Sequence, residues 1–361
     1  MSSGNQNSAY YVAFARLPKL GPKGFALLRS HFPTMAEAWQ ASAGELKQAG
    51  LETSLVQAII AHRQKIDVAA SYQEIEKLQL EVVTIADPIY PKLLKEIYDP
   101  PALLFIRGDL KILENLCLAI VGSRRATSYG LTMAREIANT LAQVGVTIIS
   151  GLAYGIDASA HKATIEAGGK TAAVMASGLD QIYPSANHKL ANEILDKGGL
   201  WISEFPPQTA PLKQNFPFRN RIIAGLAQGT IVIEAAKTSG ALLTAKHALE
   251  ANREVFAVPG NATSPASVGT NELLKQGAHL ITEASDVLSA FGLKAETTAA
   301  REPLTADLQS LLEKLPYEPT HLETLVRLLN LPASNLTSGL TLLELKGYLK
   351  DEGSGRYRRL K

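Results

Sequence analysis

A single cysteine, Cys117, in 361 residues leaves no internal disulfide framework and no cysteine-rich metal site, which suits a reducing compartment. It opens an apolar run, where a buried bystander is expected rather than a nucleophile. No stretch approaches the roughly 20 consecutive apolar residues of a membrane span. The polar start Ser2-Ser-Gly-Asn-Gln-Asn-Ser8 lacks the basic and apolar parts of a signal peptide. The expected location is the cytoplasm, without membrane contact. Excess charge is missing too: 36 Lys and Arg against 34 Asp and Glu leave a formal charge of +2. Any nucleic-acid surface must therefore come from local clustering of cations. Apolar residues, at 46%, are plentiful enough for a large core, and the length calls for two or three domains.

The stretch from Leu118 organises the rest. Leu118-Ala-Ile-Val121 reads as a buried parallel strand, residues 122–130 as a phosphate-sized loop, and the pattern from Leu131 as an amphipathic helix. Gly122 is expected to let backbone amides approach an anion at the helix N-terminus, with Arg124 and Arg125 adding positive charge. Apolar runs recur at 146–149, 171–175, 200–203, 230–233 and 254–258, with helical patterns between them. Such alternation predicts a parallel sheet covered by helices on both faces, with ligands outside the carboxyl ends of its strands. Those ends carry segments 122–124, 150–157, 177–180, 204–207, 234–240 and 259–261, rich in glycine and hydroxyls.

Ahead of this core, residues 10–80 have helical spacing. Within them, Leu17-Pro-Lys-Leu-Gly-Pro-Lys-Gly24 resembles a helix-hairpin-helix turn that holds a DNA phosphate; a solvated turn with exposed Lys19 and Lys23 fits as well. Two short apolar runs, 81–86 and 102–106, flank proline-rich turns. Residues 295–303 have a linker composition. Beyond them, three helical patterns and two β-like runs about Gly353-Ser-Gly355 give the order of a winged helix-turn-helix, a module that binds DNA or protein. The expected architecture is α/β: an N-terminal helical module (1–80), a Rossmann-like core (81–294), a linker (295–304) and a winged-helix-like domain (305–361).

Residues 204–221 read as one long loop on the ligand side of the sheet, carrying Phe216, Phe218, Lys213, Arg219 and Arg221. Long irregular loops in compact domains are usually functional or disordered. Rings that stack bases and cations that neutralise phosphates together equip a surface for single strands. Phe218 is expected to pack into the core, and Phe216, between Asn215 and Pro217, to be the stacking ring.

Val121-Gly-Ser-Arg124, the 150–157 segment with Ala160-His161, Ser177-Gly-Leu-Asp-Gln-Ile-Tyr-Pro184, Ser203-Glu-Phe-Pro-Pro207, the 216–225 segment and Glu254-Val-Phe-Ala-Val-Pro-Gly260 together resemble the DprA (Smf) family. The resemblance spans residues 90–286. It implies an extended Rossmann-like domain that binds single-stranded DNA, forms a homodimer and loads RecA during natural transformation, with no catalysis and no cofactor. It further implies that Arg124 and Lys213 hold phosphates and Phe216 stacks a base; with the loop residues read above, the expected DNA site is Gly122, Ser123, Arg124, Lys213, Phe216, Arg219 and Arg221. The helical start, of helix-hairpin-helix or SAM-like kind, and the winged-helix-like end resemble the family's accessory modules.

Two enzyme readings compete. A dinucleotide dehydrogenase wants Gly-x-Gly-x-x-Gly, and Gly122-Ser-Arg-Arg-Ala-Thr lacks the second glycine. A phosphoribohydrolase of the lysine-decarboxylase-like (LOG) kind wants Pro-Gly-Gly-x-Gly-Thr-x-x-Glu. Here Ala236-Lys-Thr-Ser-Gly-Ala-Leu-Leu-Thr-Ala245 lacks the glycines and the glutamate. Glu204 and Glu234 are then expected to be structural, because acid–base work needs a pair whose environments push their pKa values apart. Asp157 and His161 are expected as a helix N-cap and a packed histidine rather than a metal pair.

Overall fold

Strands whose residues are apolar on both faces set the frame. The computed structural model describes residues 3–293, 304–351 and 353–359. Among them, six helices come first: α1 (Ser3–Ala15), α2 (Pro22–His31), α3 (Met35–Gln40), α4 (Ala43–Gln48), α5 (Thr53–Arg63) and α6 (Val68–Lys77). Local signals start several of these, including the Ser42–Glu45 capping box of α4 and the Asp67 side chain that accepts the Ala70 N–H at α6.

The strands of the main sheet are β1 (Glu81–Thr84), β2 (Leu103–Gly108), β3 (Cys117–Val121), β4 (Thr147–Ser150), β5 (Thr171–Val174), β6 (Leu200–Ser203), β7 (Gly229–Val232), β8 (Glu254–Ala257) and β9 (His279–Leu280). Their order is β1-β2-β6-β5-β4-β3-β7-β8-β9. From β3 to β9 every pairing is parallel, as the alternation predicts. The addition is β2, antiparallel to both β1 and β6. Its link to β1 is taken up by proline turns and the single-turn α7 (Lys92–Lys95), which is too short to carry a crossover.

Helices α8 (Ser128–Gln143), α9 (Ile156–Glu166), α10 (His188–Asp196), α11 (Asn215–Gly225), α12 (Gly240–Glu250), α13 (Val268–Lys275) and α14 (Ala284–Ala290) cover the sheet. Met133, Ile137, Ile156, Val287 and Leu288 close one face, while Ile222, Ile223, Ala245 and Leu273 belong to a cluster with Ala119, Ile149 and Val174. A third cluster joins Phe14, Leu28, Leu46, Ile59 and Ile75 of the N-terminal helices to Phe105, Met175, Leu179 and Trp201 of the sheet and its rim. These helices thus share a core with the sheet, within one compact unit, Met1–Ala295. Cys117 is buried, and burial pushes its thiol up to about 12. No helix among the described residues is long and apolar enough to cross a membrane.

The smaller unit, Glu296–Lys361, contains α15 (Ala306–Lys314), β10 (Thr320–His321), α16 (Leu322–Leu329), α17 (Ala333–Leu345), β11 (Leu349–Asp351) and β12 (Arg356–Arg359) among the described residues. Its sheet runs β10-β12-β11, antiparallel throughout. Asn330, at a φ of 50°, makes the tight turn from α16 to α17. This is the arrangement of a winged helix. Most of the expected linker, 295–303, lies outside the described residues. The smaller core, with Leu312, Leu325, Leu336, Leu340 and Leu343, is drawn wholly from residues 304–357. A chain ending at Arg301 is therefore expected to stay soluble and melt cooperatively by circular dichroism; its precipitation, with the full chain soluble, would place the boundary elsewhere.

Candidate nucleic-acid interface

The rim beyond the carboxyl ends of β3, β4 and β5 brings Arg124, Phe216 and Arg219 together and divides the work of the predicted residues. Gly122 is a packing glycine: a Cβ there would stand 2.6 Å from Ile156 Cγ1 and 3.0 Å from the Glu234 carbonyl oxygen. The Ser123 N–H donates to that same carbonyl at 2.7 Å, and its hydroxyl accepts the Arg125 N–H at 3.1 Å. The expected amide cradle is thus closed at Ser123. The N-terminus of α8 is also occupied, by the protein's own anion. Glu234 accepts the Thr127 N–H at 2.9 Å and the Thr127 hydroxyl at 2.7 Å, and a Cβ on Gly130 would come within 2.8 Å of its Oε2. Gly122 and Ser123 accordingly shape the loop, and the cations it offers to solvent are the exposed side chains of Arg124 and Arg125.

Irregular structure after β6 ends at residue 214, because α11 begins at Asn215. Pro217 looks like a breaker in sequence, but in a first turn its missing N–H has no helical partner to lose. This early start rotates the aromatic residues away from expectation. Phe218 is 53% exposed rather than packed, and Phe216 is half-buried. The Phe216 ring lies 4.7 Å from the Arg124 guanidinium carbon and 5.7 Å from that of Arg219, with the Tyr183 ring edge-on at 5.8 Å. Such contacts contribute about 0.5–2 kcal/mol, depending on desolvation. Gly151, Ala153, Tyr154 and Pro184 complete a shallow pocket around Arg124, Tyr183 and Phe216. Tyr154 and Tyr183 were hidden inside turn motifs in the sequence; both are nearly half exposed here. Lys213 is exposed, two residues ahead of α11.

Arg219 and Arg221 are corrections. Both are 4% exposed and occupied by the protein. Arg219 donates to the Gly151 carbonyl at 2.7 Å, the Val174 carbonyl at 2.6 Å and Asn220 Oδ1 at 3.2 Å, which ties the ends of β4 and β5 beneath the pocket. Burial lowers its pKa to about 10, against the favourable charge of Asp157. Asp157 is not the N-cap of α9; that position is Gly155, and Asp157, one residue into the helix, accepts the Gly151 and Ala153 N–H groups. Burial pushes its carboxyl up, and Arg219 and these two amides oppose the shift. Arg221 pairs with Glu204 at 2.5 Å and Asp99 at 3.3 Å. Glu204 is therefore bound up in structure, as is Glu234.

His161 is packed as expected, fully buried and held neutral, with a pKa lowered to about 3 by burial and then by the Arg219 charge. The Thr171 hydroxyl gives its hydrogen to the Ile148 carbonyl, so His161 Nδ1, 2.7 Å from that hydroxyl, must carry the hydrogen it donates.

Against known proteins, the family model described as DNA recombination-mediator protein A matches residues 81–292, and that of the DprA winged helix domain matches 295–353. Protein Smf of Synechocystis sp. is 34% identical, with 98% of this chain and 99% of that protein covered. The DNA processing protein DprA of Streptococcus pneumoniae is 43% identical over 63% of this chain and 79% of its own length. The X-ray structure of the S. pneumoniae protein superposes with a TM-score of 0.69 at 36% identity, covering 78% of this chain and 97% of that one. DNA processing protein A from Helicobacter pylori, solved for its single-stranded DNA binding mode, superposes with a TM-score of 0.54 at 32% identity, covering 59% and 95%.

Proposed function

The chain belongs to the DNA recombination-mediator protein A family, the DprA or Smf proteins, and we propose that it binds single-stranded DNA through Arg124, Lys213 and Phe216. The observation that carries this reading is the Phe216 ring at the open rim, with the exposed Arg124 guanidinium 4.7 Å from it. A base takes the place of the guanidinium on the ring, and the guanidinium turns to a phosphate, so one cation–π contact is exchanged for a stack and an ion pair. Lys213 follows the backbone at the other end of the segment. Gly122, Ser123, Arg219 and Arg221 act from below, holding the rim in shape. The related H. pylori protein, described for its single-stranded DNA binding, supports the same assignment here.

The reading extends to a homodimer in the cytoplasm that loads RecA onto single strands during natural transformation. It also makes the protein a binder rather than a catalyst. Glu204 is paired with Arg221, and Glu234 is bonded to Thr127, so both carboxylates are taken up in holding the fold. The test is a mobility shift with matched single- and double-stranded oligonucleotides, followed by RecA filament growth on DNA coated with single-strand-binding protein. Tighter binding of the single strand and faster filament growth are expected. Equal affinity for the duplex removes the stacking site, and unchanged growth across a titration removes the mediator role.

A further inference from the structure

Glu74, on α6, joins three parts of the larger unit. Its carboxylate pairs with Arg16, just past α1, and its Oε1 accepts a hydrogen bond at 2.6 Å from Gln208 Nε2, 134 positions along the chain. Both charged partners are mostly covered, with side-chain exposures of 17% for Arg16 and 27% for Glu74. Gln208 lies in the segment between β6 and α11, at a φ of 70° that non-glycine residues adopt only when their surroundings impose it. The angle belongs to the turn that the Thr209 N–H closes on the Pro206 carbonyl at 3.2 Å, with Pro207 and Gln208 at its central positions, and two further contacts hold that turn in place. The Gln208 N–H is shared between both Asp180 carboxylate oxygens, 3.0 Å from each, and the side chain reaches Glu74.

The floor beneath Gln208 is equally close. A Cβ on Gly178 would lie 2.7 Å from the Pro206 carbonyl oxygen and 2.9 Å from Pro207 Cα, and the Gly178 N–H donates to Thr209 at 2.9 Å. Leu179 in this floor belongs to the same apolar cluster as Phe14 and Ile75 of the N-terminal helices. Downstream, Asn215 Nδ2 donates to the Ala176 and Ala210 carbonyls at 3.1 and 3.2 Å. The segment is thus held as far as Ala210, and the exposed stretch Leu212-Lys213-Gln214 projects just before Phe216.

We propose that the N-terminal helices are a positioning element of the DNA site, acting through the Arg16–Glu74–Gln208 bridge to set the segment that presents Lys213. The proposal rests on the reading of this face as a single-strand site. A partly covered ion pair adds little net stability, because the cost of desolvating its charges offsets much of their attraction. A bridge that selects one loop geometry acts instead on how much ordering the bound state still requires. Glu74 touches no DNA; it works through the loop.

The test measures oligothymidylate affinity of the full chain for wild type, Glu74→Ala, Glu74→Gln and Gln208→Ala, each also combined with Lys213→Ala or Arg124→Ala. Amide hydrogen exchange of residues 204–214 is followed without DNA. Glu74→Ala and Gln208→Ala are each expected to weaken binding about fivefold, the size of one deleted hydrogen bond, and to speed exchange in 204–214. Glu74→Gln, which keeps a carbonyl acceptor for Gln208, recovers most of the affinity. The loss shrinks in the Lys213→Ala background and persists in the Arg124→Ala background, a pattern that general loosening does not produce. Folded Glu74→Ala and Gln208→Ala proteins that bind like wild type, or equal losses in both backgrounds, overturn the proposal. Wild type that fails to bind any single strand removes the DNA reading itself and the proposal with it, an outcome distinct from variants that merely match a binding wild type.

Discussion

Arg219→Ala is expected to destabilise the larger unit by roughly 3–5 kcal/mol, the cost of breaking a buried charge network from one side. The change leaves the Gly151 and Val174 carbonyls and Asn220 Oδ1 without the donor they now have, in a site that is 4% exposed. It also leaves the buried Asp157 carboxyl without the cation that opposes its upward shift. For a unit of this size the loss corresponds to a drop in melting temperature on the order of 10 °C. Arg219→Lys keeps the charge but not the planar fork, so it should fall between wild type and alanine. Thermal melts followed by circular dichroism are the measurement. A melting temperature within a degree or two of wild type for Arg219→Ala would remove the structural role assigned to Arg219.

The second large effect separates stacking from charge. Phe216→Ala is expected to weaken oligothymidylate binding by about 1–3 kcal/mol while leaving the salt dependence nearly unchanged, because a base loses its ring but no counterion is retained. Arg124→Ala and Lys213→Ala are expected to flatten the log–log salt slope by roughly 0.7 for each phosphate of a single strand that is no longer neutralised. Arg124→Ala carries a further signature. Its guanidinium also lies against the Phe216 ring, so its effect and that of Phe216→Ala should not add. Affinities across a salt series for the three variants and the Arg124–Phe216 double variant test this. Cation variants that are folded and keep the wild-type slope would remove the phosphate assignment, and a Phe216→Ala protein that binds like wild type would make the ring a packing residue.

Much of this protein is local in origin and therefore legible in its sequence. The runs at β3 to β8 are apolar on both faces, so each has a low-energy home only inside a covered sheet, and the helical spacing between them supplies the cover. The leucine spacing of α15 to α17 and the turn at Gly353-Ser-Gly355 likewise give a winged helix with its own core. The turns at the carboxyl ends of the strands mark the ligand side for the same reason, and Arg124 and Phe216 are on that side as expected.

What the sequence leaves open is which polar groups are already taken, and the tertiary structure alone decides that. Arg124, Arg219 and Arg221 are chemically identical. Only the folded chain turns the first to solvent, gives the second to the Gly151 and Val174 carbonyls, and pairs the third with Glu204. Glu234 fills the helix N-terminus that looked ready for a phosphate, although it is 107 positions from Thr127. Phe216 and Phe218 differ by two residues in one helix, and their exposure follows from what α11 packs against. Periodicity reports the burial a residue needs from its neighbours in the chain; the saturation of a charge depends on partners that loop closure brings from far away, and no local pattern encodes them.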